Sequence, residues 1–213
     1  MLFRSRRRQF VCSFVLFTGV AAVAAAQAPA TPRAKRGPAL PPAPFVQPEI
    51  GTVYRYDGFS NLITGGNGLT TMYADQRNQG GARFGVFFND NITDRLAYSE
   101  DTLATLFPLS VGKRVEFGVS HGDLAWLFVA RVVDTETIRT PAGTFDTYVV
   151  ETIEAPKRTR SPALARTRIT TYWYAPSVRN VVRLMSITTT QAAQKQLRRV
   201  QLIGIDRPRA KAR

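Results

Sequence analysis

Few residues in this sequence have the type and the spacing that catalysis requires. His121 is the only histidine, and it lies in a Ser-His-Gly-Asp segment at residues 120–123. A catalytic triad needs an oriented nucleophile beside the histidine and its acid, and no such nucleophile stands at a recognisable spacing. A tight turn between strands explains this segment better than an active site does. We therefore assign no catalytic residue.

Metal, cofactor and phosphate sites also lack their usual residues. A zinc site takes three or four His, Cys or carboxylate ligands, whereas the chain has one histidine and one cysteine, Cys12. The glycine-rich run Gly65–Gly68 is not followed by Lys-Ser or Lys-Thr and a helix, so it predicts a flexible turn rather than a phosphate loop. We expect no metal and no cofactor.

Paired carboxylates leave one enzymatic alternative open. Glycoside hydrolysis uses two acids that flank the sugar, and Glu151 with Glu154 is one such pair. However, 15 acidic residues scattered along the chain make some pair inevitable, and solvated strand edges explain these residues as well. A carbohydrate-active enzyme is therefore a lesser alternative to a protein without enzymatic activity.

Aromatic side chains in strand-like segments give the positive signal. A curled sheet that presents them on its concave face could hold an acyl chain or another apolar ligand. An ordinary core would use many of the same residues, so both interpretations stay open. The candidate ligand-binding residues are Trp126, Phe128, Tyr172, Trp173 and Tyr174.

The N-terminus has the composition of an export signal. Residues 1–26 combine four arginines, an apolar run and the small residues Ala24–Ala26 before Gln27, which predicts a cleaved signal peptide. The Arg7-Arg8 pair followed by x-Phe-apolar also fits a twin-arginine signature, so that route and the Sec route are both open. The expected location is periplasmic or secreted. Cys12 would leave with the signal, so the mature chain would have no disulfide.

Composition and charge divide the remainder of the chain. Residues 27–48 are dense in Pro and Ala and predict an extended linker. The formal net charge of +14 is concentrated at the chain ends, because residues 49–206 carry 18 basic and 15 acidic residues. A nucleic-acid partner would require a basic stripe on the folded part, so we expect none. The basic tail, residues 207–213, could contact an anionic surface.

From residue 49 to residue 206 the pattern is that of one β domain. β-Branched and aromatic residues gather in short runs between turn residues, and helical periodicity is scarce apart from one turn within residues 100–106. Roughly nine or ten strands with short links cannot form parallel crossovers. We expect an all-β fold: a single curled antiparallel sheet, as a half-open barrel or a sandwich, with few short helices, in a monomer.

Three segments occur in an order that resembles a known family. They are FPLSVGKRVEF at Phe107–Phe117, TPAGTFDTYVV at Thr140–Val150 and TTYWYAPSVRNVVR at Thr170–Arg183. Together they are similar to the TapB-like family of exported bacterial β-proteins of unknown function. The resemblance implies a curled antiparallel sheet like that of lipoprotein-carrier proteins, open on one side, and it implies no catalytic residues. No long helix is expected to plug the open face.

Turn chemistry gives the second of these segments a local explanation. Pro141 presets a turn, and Gly143 can adopt the positive φ that a tight hairpin requires. Thr140 to Gly143 therefore predicts a hairpin corner, with Phe145 anchoring the returning strand in the core.

These inferences predict a non-enzymatic exported envelope protein. It would bind an apolar, lipid-like or polymeric envelope component in or on the curled sheet. The alternative is a structural or assembly protein that pairs with a protein partner through a sheet edge.

Overall fold

The computed structural model describes residues 37, 39–75, 80–87, 100–121, 124–158, 166–190 and 194–208, all within one compact unit, Ala34–Arg213. In this part of the chain ten strands form one antiparallel sheet. The sheet is not closed into a barrel, and there is almost no helix. The expected all-β fold is thus confirmed. The predicted signal peptide, the first part of the predicted linker and residues 209–213 lie outside the described part.

The elements follow one another with short links. The strands are β1 Val53–Tyr56, β2 Phe59–Asn67, β3 Thr70–Ala74, β4 Gly80–Phe84, β5 Arg114–His121, β6 Leu124–Thr140, β7 Gly143–Arg158, β8 Arg166–Ala175, β9 Asn180–Thr190 and β10 Lys195–Asp206. One short helix, α1 at Glu100–Ala104, falls where the single helical turn was predicted, and a 3₁₀ turn covers Pro176–Val178.

The strand order explains how the sheet is built. It runs β4-β3-β2-β1-β10-β9-β8-β7-β6-β5. Strands that are neighbours in sequence pair with each other, except β4 and β5, and one long-range strand pairing, which includes Val53 with Asp206, joins β1 to β10. The two ends of the domain therefore meet inside the sheet, β4 and β5 are the outer strands, and the β4–β5 connection leads from one outer strand to the other.

That connection supplies a large part of the core. Its side chains are 0–4% exposed at Val86, Phe87, Leu103, Leu106 and Leu109. The Phe87 ring lies edge-on to Phe128 and to Tyr172, with 5.7 Å between ring centroids in each pair. The chain's own apolar residues thus fill the concave face. The sequence did not indicate that the β4–β5 connection covers the concave face, because the apolar segments of this connection are too short to show helical periodicity.

The corner at Thr140 forms as predicted. Thr140 pairs with Gly143 across a two-residue loop, and the Ala142 amide donates a hydrogen bond to Thr140 Oγ1 at 3.2 Å. Gly143 has a φ of +138°, which an L-residue with a side chain rarely adopts. Phe145 is 8% exposed and belongs to the core. The hairpin and its anchor are confirmed.

The glycine run at residues 65–68 differs from its prediction. Gly65, Gly66 and Asn67 belong to β2, so the prediction of a flexible turn was wrong for these three residues. A Cβ at Gly66 would lie 2.6 Å from Gln47 Oε1. A side chain at position 66 would therefore displace the end of the Gln47 side chain, which crosses the strand closely and donates to the Thr70 carbonyl at 2.8 Å.

Residues 39–48, which we call the strap, lie against the β domain although their composition suggested a linker. Ala43 and Leu109 exchange backbone hydrogen bonds at 3.0 and 2.7 Å, and the Tyr148 hydroxyl donates to the Pro41 carbonyl. The domain limits inferred from composition remain a prediction. Within the described residues, no helix has the length and hydrophobicity to cross a membrane.

Candidate functional site

The five aromatic candidates do not lie on one surface. Phe128, Tyr172 and Tyr174 are 5%, 5% and 1% exposed and pack in the core of the concave face. Trp126 is partly buried and, two residues before Phe128 in β6, lies on the same face of the strand. Trp173 lies on the opposite face, as the alternation of Tyr172-Trp173-Tyr174 predicted.

On that outer face Trp173 has polar partners. Its indole Nε1 donates a hydrogen bond to Glu136 Oε2 at 2.7 Å. The guanidinium carbon of Arg183 lies 5.8 Å from the centroid of the indole ring, within cation–π range. Trp173 is therefore separated from Tyr172 and Tyr174 by the thickness of the sheet.

The two carboxylates considered for glycoside hydrolysis are separated in the same way. Glu151 lies on the outer face and forms an ion pair with Arg131 at 2.7 Å, whereas Glu154 is 8% exposed, on the inner face. Residues three apart in a strand point to opposite sides, so they cannot flank one sugar. Of His121, the last residue of β5, only the backbone is described.

A groove of about 580 Å³ lies between the strap, the first residues of β7 and the end of β8. The strap contributes Leu40–Pro44 and Val46, and the facing wall includes Phe145, Tyr148, Tyr174 and the carboxylate residue Asp146. Small-molecule sites commonly have volumes of about 300–1,000 Å³ and mostly apolar linings. This groove meets both conditions, and it includes one of the five predicted residues, Tyr174.

The strap sequence explains why this groove exists. Pro41, Pro42 and Pro44 have no N–H and cannot join a strand ladder. Ala43 is the one residue of this Pro-Pro-Ala-Pro segment with an N–H, and it makes the single bridge, to Leu109. The strap therefore crosses the rim held at a few points, without pairing along its length.

A small polar pocket of about 110 Å³ lies beside the groove. Its charged residues are Glu49, Arg179 and Arg207, and Tyr54 lines it with its hydroxyl donating to the Val178 carbonyl at 2.7 Å. Ser177, in the 3₁₀ turn, lines both the polar pocket and the groove.

A buried cation, Arg83, acts electrostatically on the buried tyrosines Tyr54, Tyr56 and Tyr174. Arg83 is 3% exposed and donates to the Oδ1 atom of Asn180. Burial raises the pKa of Tyr174 to about 12, against the opposing positive charges of Arg83 and Arg179, and burial raises the pKa of Tyr56 as well. These hydroxyls are neutral at physiological pH, so they can donate hydrogen bonds but cannot act as general bases.

Within the described ranges, no three His, Cys, Asp or Glu residues are placed to hold a metal ion. The described groove and pocket offer apolar contact, hydrogen-bond donation and charged side chains of both signs.

Fold and site together define an antiparallel β-sheet protein with a strapped groove at its rim. Residues 63–192 match the family model described as a protein of unknown function, DUF3108. The match covers more than half of the sequence, and the chain belongs to the DUF3108 family. This match confirms the expected membership of a family of unknown function.

Three solved structures are similar at low identity. A proposed lipoprotein of Parabacteroides distasonis has 17% identity and a TM-score of 0.43, covering 78% of this chain and 100% of its own. A proposed exported protein of Bacteroides fragilis with a YmcC-like fold has 15% identity and a TM-score of 0.39, covering 78% and 100%. The hypothetical lipoprotein YmcC of Escherichia coli has 12% identity and a TM-score of 0.40, covering 74% and 84%. No curated protein matches the sequence.

Proposed function

We propose that the chain is an exported envelope protein that binds an apolar ligand, such as an acyl chain, in the strap groove. The observation that carries the proposal is the groove itself, about 580 Å³ with prolines, Leu40 and Val46 on one wall and aromatic rings on the other. The signal-like composition of residues 1–26 supports export. At the finer level we propose a TapB-like member of the family, periplasmic or secreted, exported by the Sec or the twin-arginine route.

The groove is a better binding site than the interior of the sheet. Side chains that an interior ligand would have to displace, Leu103, Leu106 and Leu109, are completely buried. Removing such a side chain from a packed core costs about 2–5 kcal/mol. A ligand in the groove meets walls that are already separated, so binding there requires no such displacement.

The test measures binding of a neutral apolar probe, N-phenyl-1-naphthylamine, to the protein expressed from its full sequence, with displacement by 1-dodecanol. Val46 is 41% exposed on the groove wall, and Ile203 is 43% exposed outside the groove. Val46→Trp should narrow the groove and weaken dodecanol binding about fivefold or more, the effect of roughly 1 kcal/mol of lost contact.

Ile203→Trp is the matched control, because it adds the same side chain at a similar exposure away from the groove. The proposal predicts no change in this control. It is wrong if dodecanol does not displace the probe, or if Val46→Trp and Ile203→Trp bind dodecanol equally.

A second candidate function follows from the outer strand β5, Arg114–His121, which pairs with β6 and ends the strand order. Such an edge can accept a strand from a partner protein. A photo-crosslinker placed at exposed Glu116 in cells should then give one defined protein adduct, which the matched position Ile203 should not give. An unchanged dodecanol affinity in the presence of that partner would show that the two functions are separate.

A further inference from the structure

We propose that the ligand of the strap groove is an anionic amphiphile. Its alkyl chain lies in the groove, and its carboxylate or phosphate head lies in the polar pocket, against Arg179 and Arg207. This inference rests on the proposed function and names the ligand class for the same site.

The positions of the two cavities are the first support. They lie on the two sides of the 3₁₀ turn Pro176–Val178, and Ser177 lines both. A 3₁₀ turn of three residues rises about 6 Å along its axis. The end of the groove at Ser177 therefore adjoins the polar pocket.

Charge is the second support. The polar pocket contains Arg179 and Arg207 against one carboxylate, Glu49, so one positive charge is in excess. Burial raises the pKa of Tyr54, and the positive charges of Arg83, Arg207 and Arg179 act in the opposite direction. The charge of Arg179 likewise acts on Tyr174, which lines the groove. The charge of Arg179 thus reaches the groove as well, whose lining includes one carboxylate residue, Asp146.

The backbone at Arg179 is the third support. Among the described residues, Arg179 is the one non-glycine residue with a positive φ, +53°. The left-handed conformation costs an L-residue with a Cβ roughly 1 kcal/mol, and Gly or Asn usually occupies it. Here the position holds an arginine whose Nη1 donates to the Gln47 carbonyl at 3.2 Å. That bond holds the guanidinium of Arg179 beside Gln47, and Arg179 also lines the polar pocket in which the head group is placed.

The experiment compares three ligands on the protein expressed from its full sequence, by titration calorimetry below their micelle concentrations. Dodecanoate has the chain and the charge, 1-dodecanol has the chain alone, and acetate has the charge alone. Dodecanoate should bind about tenfold more tightly than dodecanol, the gain expected of a charge-assisted hydrogen bond, and acetate should bind at least a hundredfold more weakly than dodecanoate.

Arg179→Asn combined with Arg207→Gln should reduce the dodecanoate affinity to that of dodecanol without changing dodecanol binding. Asparagine is chosen at position 179 because it tolerates the left-handed backbone. Arg166→Gln, an exposed position at the start of β8, is the control and should keep the tenfold preference.

Equal binding of dodecanoate and dodecanol by the unmodified protein would overturn this inference and leave the proposed function standing. Acetate binding as tight as that of dodecanoate would overturn it too, since the anion pocket would then be independent of the groove. If neither dodecanoate nor dodecanol binds, the proposed function itself is wrong. Because the ligand comparison uses the unmodified protein, a variant that fails to fold does not affect it.

Discussion

Arg83 on the outer strand β4 donates a hydrogen bond to Asn180 at the start of β9, although β3, β2, β1 and β10 lie between these two strands in the sheet. Both side chains are buried, at 3% and 1% exposure. Side chains this far apart in strand order can meet only if the sheet curls strongly. The contact therefore joins the two sides of the curled sheet through its interior.

Breaking this contact from the Asn180 side should be costly. Asn180→Leu leaves the buried guanidinium of Arg83 without its amide acceptor, and the unfolding free energy should fall by about 2–4 kcal/mol in urea denaturation. Arg83→Met should cost less, because it removes the charge together with the need for an acceptor. The double variant should show a coupling energy of about 1 kcal/mol or more.

Thr170 and Ser186 form a neutral buried pair at 3.1 Å and give a matched comparison. Thr170→Val should cost about 1 kcal/mol. If Asn180→Leu lowers the unfolding free energy no more than Thr170→Val does, Asn180 does not stabilise the buried charge of Arg83.

Stability should fall at alkaline pH, with Tyr174 responsible for part of the loss. An unfolded tyrosine ionises near pH 10, whereas Tyr174 in the folded protein has a pKa of about 12. Between these values the folded state binds one more proton than the unfolded state, so the unfolding free energy decreases as pH rises. At about 1.4 kcal/mol per pH unit, Tyr174 alone removes roughly 3 kcal/mol by pH 12.

Urea unfolding of the protein and of Tyr174→Phe from pH 8 to 11.5 checks this. The two stability curves should run parallel below pH 9 and converge above pH 10, because phenylalanine does not ionise. Curves that stay parallel to pH 11.5 would contradict the raised pKa.

The local parts of the fold could be predicted from the sequence because neighbouring residues determine them. The corner at Thr140–Gly143 follows from Pro141 and Gly143 themselves, and the opposite faces of Tyr172 and Trp173 follow from strand alternation. The pairing of Val53 with Asp206 joins residues at the two ends of the domain. No local pattern encodes such a pairing, so the strand order could not be derived.

The candidate site was mostly missed for a related reason. Tyr174 was selected as an aromatic strand residue, but its groove exists only because the strap crosses the rim. The composition of residues 39–48 predicts an extended chain, and it does not indicate what the chain lies against. The one available signal was Ala43, the single N–H donor in a Pro-Pro-Ala-Pro segment.

The hairpin corner should depend on Gly143. Its φ of +138° strains any residue with a Cβ, while a Cβ at this position would meet only the Phe145 ring at 3.5 Å, an ordinary contact. Gly143→Ala should therefore lower the unfolding free energy through backbone strain alone, by about 1–3 kcal/mol. Thermal unfolding measures the loss, and Ala142→Ser in the same turn is the control. Equal stability of Gly143→Ala and the control would show that the corner relaxes to another turn type.

The strap should loosen when the Ala43 donor is removed. Ala43→Pro replaces the N–H that donates to the Leu109 carbonyl at 3.0 Å, and it leaves that buried acceptor unpaired at a cost of about 1–3 kcal/mol. Limited proteolysis should then cut within residues 39–48 faster than in the unmodified protein, and the Leu109 amide should exchange its hydrogen faster. Pro44→Ala, which adds a donor beside the bridge and removes none, should leave both rates unchanged. If proteolysis within residues 39–48 is equally slow in Ala43→Pro and in Pro44→Ala, Tyr148 and Gln47 hold the strap in place without the bridge. Dodecanol affinity should then be equal in the two variants.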